Sequence, residues 1–158
     1  MEKFELTILG CGSALPTTRH FATSQVINIR EKLYMIDCGE GAQLQMRRSR
    51  LKFSRLNHVF ISHLHGDHCF GLIGLISTFG LLGRTAPLYV HAPAAFGPIL
   101  QSLLGFFCKG LDFRVEFSPV DTSRHAPFPF TPFPCATVSN AAVFCFRRKL
   151  PCHTSDAT

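Results

Sequence analysis

The sequence predicts a layered α/β fold, a mixed sheet covered by helices. Short apolar or alternating runs cluster near the start of the chain, and further on such runs alternate with longer helical stretches. Hydrophobic residues make up 46% of 158 residues and charged residues 16%, enough for a sizeable core in about one domain. That composition excludes a disordered chain and a collagen-like or coiled-coil rod.

The elements follow in order. Residues 4–9 (FELTIL) read as a buried strand running into a tight turn at 10–13, where glycine permits angles that other residues avoid. Residues 24–30 (SQVINIR) alternate, as a half-buried strand does. Lys32 closes that strand and 33–37 (LYMID) begin another, so the two form a hairpin. Gly39 to Gly41 open a short helix over 42–48. Residues 57–62 (NHVFIS) are a strand, followed by a polar loop at 63–68. Residues 70–82 are helical despite three glycines; 87–91 are a strand, 93–107 a helix and 112–117 (DFRVEF) a strand.

After Asp121 the character changes. From Pro119 to Pro134 there are five prolines and three phenylalanines without periodicity, and Pro127, Pro129, Pro132 and Pro134 forbid a helix or a central strand. From 135 onward one acidic residue remains, Asp156, and only 141–146 carry a strand pattern. The expected division is therefore 1–121 and an irregular Pro-, Phe- and Cys-rich tail at 122–158.

No apolar run reaches the length of a bilayer span, so no membrane association is expected. The N-terminus lacks a signal-peptide pattern, and seven cysteines without a C-x-x-C pair do not resemble a disulfide framework. A reducing cytoplasm is the expected location. The net charge of +6 suits a polyanionic partner.

The chemistry concentrates in Ser62-His63-Leu64-His65-Gly66-Asp67-His68, directly after an apolar strand. His63 and His65 alternate, so in extended backbone their rings leave on the same side. Gly66 lets the chain turn and brings Asp67 and His68 back toward them. Imidazole nitrogens with a carboxylate suit Zn²⁺ first, with Mn²⁺ and Fe²⁺ as alternatives.

This H-x-H-x-D-H string resembles the signature of the metallo-β-lactamase superfamily. The flanking segments 9–17 (LGCGSALPT), 37–43 (DCGEGAQ), 52–54 (KFS) and 70–75 (FGLIGL) are similar to ribonuclease Z, the endonuclease that trims 3′ trailers from precursor tRNA. The resemblance covers about residues 1–121. It implies the N-terminal portion of a layered αββα sandwich, with His63 and His65 holding one metal and Asp67 and His68 a second. It implies two Zn²⁺ per site in the complete family, with fewer held stably by this chain; together two such ions draw a nucleophile from water at neutral pH and neutralise charge on a phosphodiester. Asp67 also becomes the candidate catalytic residue, helping to take a proton from the water. Precursor tRNA is the implied partner and a homodimer the implied assembly.

Smaller features are read more plainly. Asp37 is a structural residue at a strand end that positions a ligating histidine, in preference to direct catalysis. Residues 46–55 carry five basic residues and no acidic one; a solvated face is the first reading, and an RNA contact through Arg47 and Arg48 the second. Arg19, in a segment similar to the family's substrate loop, is a candidate phosphate contact. His91 is structural; His20, His58 and His125 lack ligand spacing; Cys69 is a small core residue and not a ligand.

The family's third histidine, bridging aspartate and last histidine have no counterpart in this chain. Codons permitted for 135–146, read one base out of register, can encode the family segment expected there, which suggests a frameshift near Pro134. The expectation is that this chain alone has little or no processing activity. Two other readings stand beside the nuclease: a hydrolase of small esters, thioesters or lactones on the same fold, and a non-enzymatic metal-binding fragment with about one ion per chain.

Overall fold

The computed structural model describes residues 4–13, 15 and 17–120. The tail at 122–158, its strand pattern, its frame and His125 lie outside the described residues. The chain runs β1 (Phe4–Gly10), β2 (Ser24–Ile29), β3 (Lys32–Cys38), α1 (Ala42–Arg48), a short 3-10 turn (Phe53–Arg55), β4 (Leu56–Phe60), α2 (Gly66–Cys69), α3 (Gly71–Leu81), β5 (Leu88–Ala92), α4 (Phe96–Phe107) and β6 (Val115–Pro119).

The strands form one six-stranded sheet in sequence order, with β1, β2 and β3 antiparallel and β3 through β6 parallel. Connection length explains the change of direction. Two residues join β2 to β3, whereas every parallel step carries a helical crossover. Those two residues, Arg30 and Glu31, have φ of 51° and 66°, the left-handed pair that a two-residue hairpin requires. Lys32 therefore pairs with Ile29 and opens β3, where alternation alone assigned it to the end of β2.

One face of the sheet packs on the helices. Leu9, Val26, Leu33, Met35, Val59, Leu88, Val90 and Ala92 meet Leu72, Leu75, Ile76 and Phe79 of α3 and Phe96 and Leu100 of α4 in one core. The α3 set recurs at helical spacing, which is why this stretch forms a helix in spite of its glycines. Gly71 is needed for close approach, since a β-carbon there would strike the Gly39 carbonyl.

The opposite face differs from expectation. Residues 4–9 are not a buried strand: Leu6 is 53% and Ile8 52% exposed. β1 is an edge strand, and Leu9 is the side chain it sends into the helix-side core. Leu6, Ile27, Tyr34, His58 and Tyr89 are cross-strand neighbours in one row on the far face. His58 stacks between Tyr34 and Tyr89, and Phe60 stacks on His91.

Local boundaries also shift, and β4 ends at Phe60, two residues short of the expected 62. The expected loop at 63–68 closes into the single turn of α2, separated from α3 by Phe70. α4 begins at Phe96, after a turn in which the amides of Phe96 and Gly97 bond to the Pro93 and Ala94 carbonyls. The last strand starts at Val115, because Phe113 turns into the core and sets its ring edge-on to Phe79. Among the described residues no helix is long and apolar enough to cross a membrane.

Candidate functional site

The carboxyl ends of β3 and β4 lie side by side because the two strands are parallel. Ligand sites of α/β sheets form at such edges. Here β3 delivers Asp37 and the segment after β4 delivers Ser62 and the histidine loop.

Asp37 is the anchor. It is 5% exposed and has φ 55°, a left-handed angle that a non-glycine residue adopts at a cost of about 1–3 kcal/mol. Its carboxylate accepts three hydrogen bonds. The Ser62 backbone N–H donates to Oδ1 at 2.8 Å, the Ser62 hydroxyl to Oδ2 at 2.9 Å, and His68 Nδ1 to the same Oδ2 at 2.8 Å. The expected positioning role of Asp37 thus has a partner, His68.

The loop itself is short and self-bonded. His65 stands at the N-terminus of α2 in extended backbone, and its carbonyl accepts from the His68 amide at 3.0 Å and from the Cys69 thiol at 3.2 Å. Cys69 belongs to the core, as expected, and burial pushes its thiol pKa up. The chain turns at Gly66, as expected, into the single turn of α2. The φ of Gly66 is not left-handed; its missing side chain admits the Phe70 ring.

The four motif side chains converge in part. The His63 ring lies 4.6 Å from that of His65 and 3.9 Å from that of His68, centre to centre. His68 Nε2 stands 3.5 Å from Asp67 Oδ2, too long for a good hydrogen bond. With Nδ1 donating to Asp37, that Nε2 is a bare acceptor facing a second acceptor, and two ligand atoms about 2 Å from a shared cation stand at about this separation. His63 is held below the usual histidine range, first by burial and then by His68 and His65 nearby, against a smaller opposing pull from Asp37 and Asp67. A neutral ring keeps a lone pair for a cation.

The donor chemistry therefore fits a divalent metal. Among the described residues, however, no group of three or more His, Cys, Asp or Glu is arranged to hold one ion.

Among the described residues, no hydrogen bond, ion pair or ring contact joins the other candidates to the motif residues. Arg47 and Arg48 sit in the last turn of α1, about 10 Å along that helix from its start beside the loop. Arg48 lies over the Phe21 ring, 5.5 Å from its centre. Arg19 is exposed. Arg55, from the same basic run, pairs with Glu31 across the hairpin turn. His58 and His91 lie outside the motif but bond to each other at 3.1 Å across β4 and β5. Ser62 stands at the head of the motif in the sequence, without an assigned role. Its signal was its place, immediately before the first motif histidine at a strand end.

A mixed sheet, helices packed on it and a histidine-rich loop at its carboxyl edge define a metallo-β-lactamase-fold chain. The fold is shared with the metallo-β-lactamase fold protein YhfI of Bacillus subtilis, at TM-score 0.57 and 18% identity, over 72% of this chain and 44% of that one. The chain belongs to the family described as Anti-Pycsar protein Apyc1, which matches residues 4–103. Its high-identity relatives are ribonucleases Z, in agreement with the resemblance read from the sequence. Ribonuclease Z of Bacteroides thetaiotaomicron is 75% identical over 124 residues, 78% of this chain and 39% of that protein. The short form of human tRNase Z superposes with TM-score 0.68 at 32% identity, over 75% of this chain and 45% of that one. The chain spans about two fifths of the length of the curated relatives it matches.

Proposed function

We propose that this chain carries the histidine-motif part of a ribonuclease Z-type phosphodiesterase, which removes 3′ trailers from precursor tRNA endonucleolytically. One observation carries the reading. In a chain 75% identical to a ribonuclease Z, His63, His65, Asp67 and His68 stand together at the carboxyl edge of the sheet, with His68 tied to Asp37.

In this reading His63 and His65 hold one Zn²⁺, and Asp67 and His68 a second. Bound divalent cations supply Lewis-acid charge against a phosphodiester and lower the pKa of water. The chain's own residues do the rest. Asp37 holds the His68 ring by Nδ1 so that Nε2 faces Asp67. Asp67 also helps to take a proton from the attacking water. Arg19, Arg47 and Arg48 attract RNA phosphates. The complete ribonuclease Z-type protein is read as a cytoplasmic homodimer.

Zinc binding is the primary readout, because turnover by this chain alone is expected to be weak or absent. The purified chain should retain zinc, and His63→Ala should lose it. Precursor tRNA, a nitrophenyl phosphodiester and a lactone assayed side by side should show hydrolysis, where any is measurable, at the phosphodiesters. A chain that holds no zinc, or that opens the lactone alone, refutes the reading.

A further inference from the structure

The Ser62 hydroxyl lies between two partners. Its oxygen is 2.9 Å from Asp37 Oδ2 and 2.9 Å from His63 Nδ1. An ionised carboxylate only accepts hydrogen bonds, and Oδ2 also receives His68 Nδ1–H. The one hydroxyl proton therefore goes to Asp37. The Ser62 oxygen is left as an acceptor toward His63, so His63 Nδ1 carries a proton and donates it. A neutral imidazole protonated at Nδ1 has its lone pair at Nε2.

We infer that Ser62 is a positioning residue: its hydroxyl, bonded to both Asp37 and His63, fixes His63 as the Nδ1–H tautomer and turns Nε2 into the ligand atom. Asp37 thereby sets two rings from one carboxylate, His68 directly and His63 through Ser62. The Ser62 backbone N–H on Oδ1 holds the segment beside Asp37, so that the hydroxyl satisfies both of its partners in one orientation, donating to Asp37 and accepting from His63. Partners of this kind, one bond behind a metal-ligating histidine, orient the ring and raise its basicity. This inference rests on the proposed role of His63 as a metal ligand, but its first consequence concerns the metal-free protein.

Long-range ¹H–¹⁵N correlation on the ¹⁵N-labelled, metal-free 158-residue chain reads each ring nitrogen directly. His63 should show a protonated Nδ1 and a bare Nε2. Ser62→Ala should release it to a mixture of tautomers, and Ser62→Thr, which keeps a hydroxyl, should restore the single form. In chelator competition, zinc should bind Ser62→Ala about 10- to 100-fold more weakly, with recovery in Ser62→Thr. A wild-type His63 protonated at Nε2 overturns the inference, and so does an alanine variant with unchanged tautomer and affinity. Should Ser62→Ala not fold, the wild-type tautomer decides alone. A chain that binds no zinc but shows His63 Nδ1–H upholds the relay and overturns only the metal reading.

Discussion

Asp37 shows how one side chain can hold a strained backbone and a site together. Its left-handed φ opposes folding, and three hydrogen bonds to a buried carboxylate, each contributing about 1.5–3 kcal/mol, offset that strain. Asparagine tolerates the same backbone angle, so Asp37→Asn separates acceptor chemistry from conformation. The amide keeps one acceptor for the Ser62 N–H and turns a donor toward Ser62 Oγ and His68 Nδ1. The expected outcome is a loss of about 1.5–3 kcal/mol in urea unfolding, with weaker zinc retention. An unchanged midpoint would remove Asp37 from its anchoring role. The sequence placed Asp37 at a strand end beside a ligand loop. It carried no sign of which histidine the carboxylate takes, because 31 residues separate Asp37 from His68 and only the parallel pairing of β3 and β4 brings them together.

Between elements, two links outside the proposed site hold the sheet. Arg84, 8% exposed, donates to the Ala86, Leu56 and Pro87 carbonyls and to Asn57 Oδ1, and lies over the rings of Phe79 and Phe113. It ties the end of α3 to the entries of β4 and β5. Arg84→Ala leaves buried carbonyls unpaired and should cost about 3 kcal/mol in chemical denaturation; Arg84→Lys should recover only part, since one ammonium cannot reach the whole fan of acceptors. The second link is the bond between His58 and His91, in which one ring nitrogen donates and the other accepts. Lys32 on β3 repels a proton on His58, Tyr34 and Tyr89 stack on its ring, and Phe60 stacks on His91. Burial lowers the pKa of both histidines, with Lys32 adding to the effect at His58 and His58 adding to it at His91. The unfolded chain therefore takes up protons first as pH falls. The contribution of the pair is full above the unfolded value of about 6.5 and is lost as pH falls toward the lower folded values. Unfolding midpoints should drop between about pH 7.5 and about pH 5.5, and His91→Gln, which bonds without titrating, should flatten the slope. Equal slopes in the two proteins would contradict this account.

Across the whole molecule, the net charge of +6 belongs to the proposed partner more than to the fold. If Arg19, Arg47 and Arg48 each neutralise one phosphate, log affinity for precursor tRNA should fall with log salt at a slope of about −2.7, about 40-fold between about 50 and 200 mM. Arg47→Ala with Arg48→Ala should reduce that slope by about 1.8 in filter binding. A slope unchanged by the double substitution would return both arginines to the plain reading of a solvated helix end. Much of this molecule was legible in one dimension. Hydrophobic period, turn residues and a ligand motif are local, and they sufficed for the mixed α/β sheet, the order of its strands and helices, and the loop at its edge. The exposure of β1 was not legible, because an apolar strand reads alike at an edge and in a centre. Nor were the buried guanidinium of Arg84, the pairing of His58 with His91, or the run from Asp37 through Ser62 to His63. Local periodicity names an element's type. Which face is covered and which ring nitrogen holds a proton depend on partners distant in sequence, and those partners exist only once the sheet has assembled.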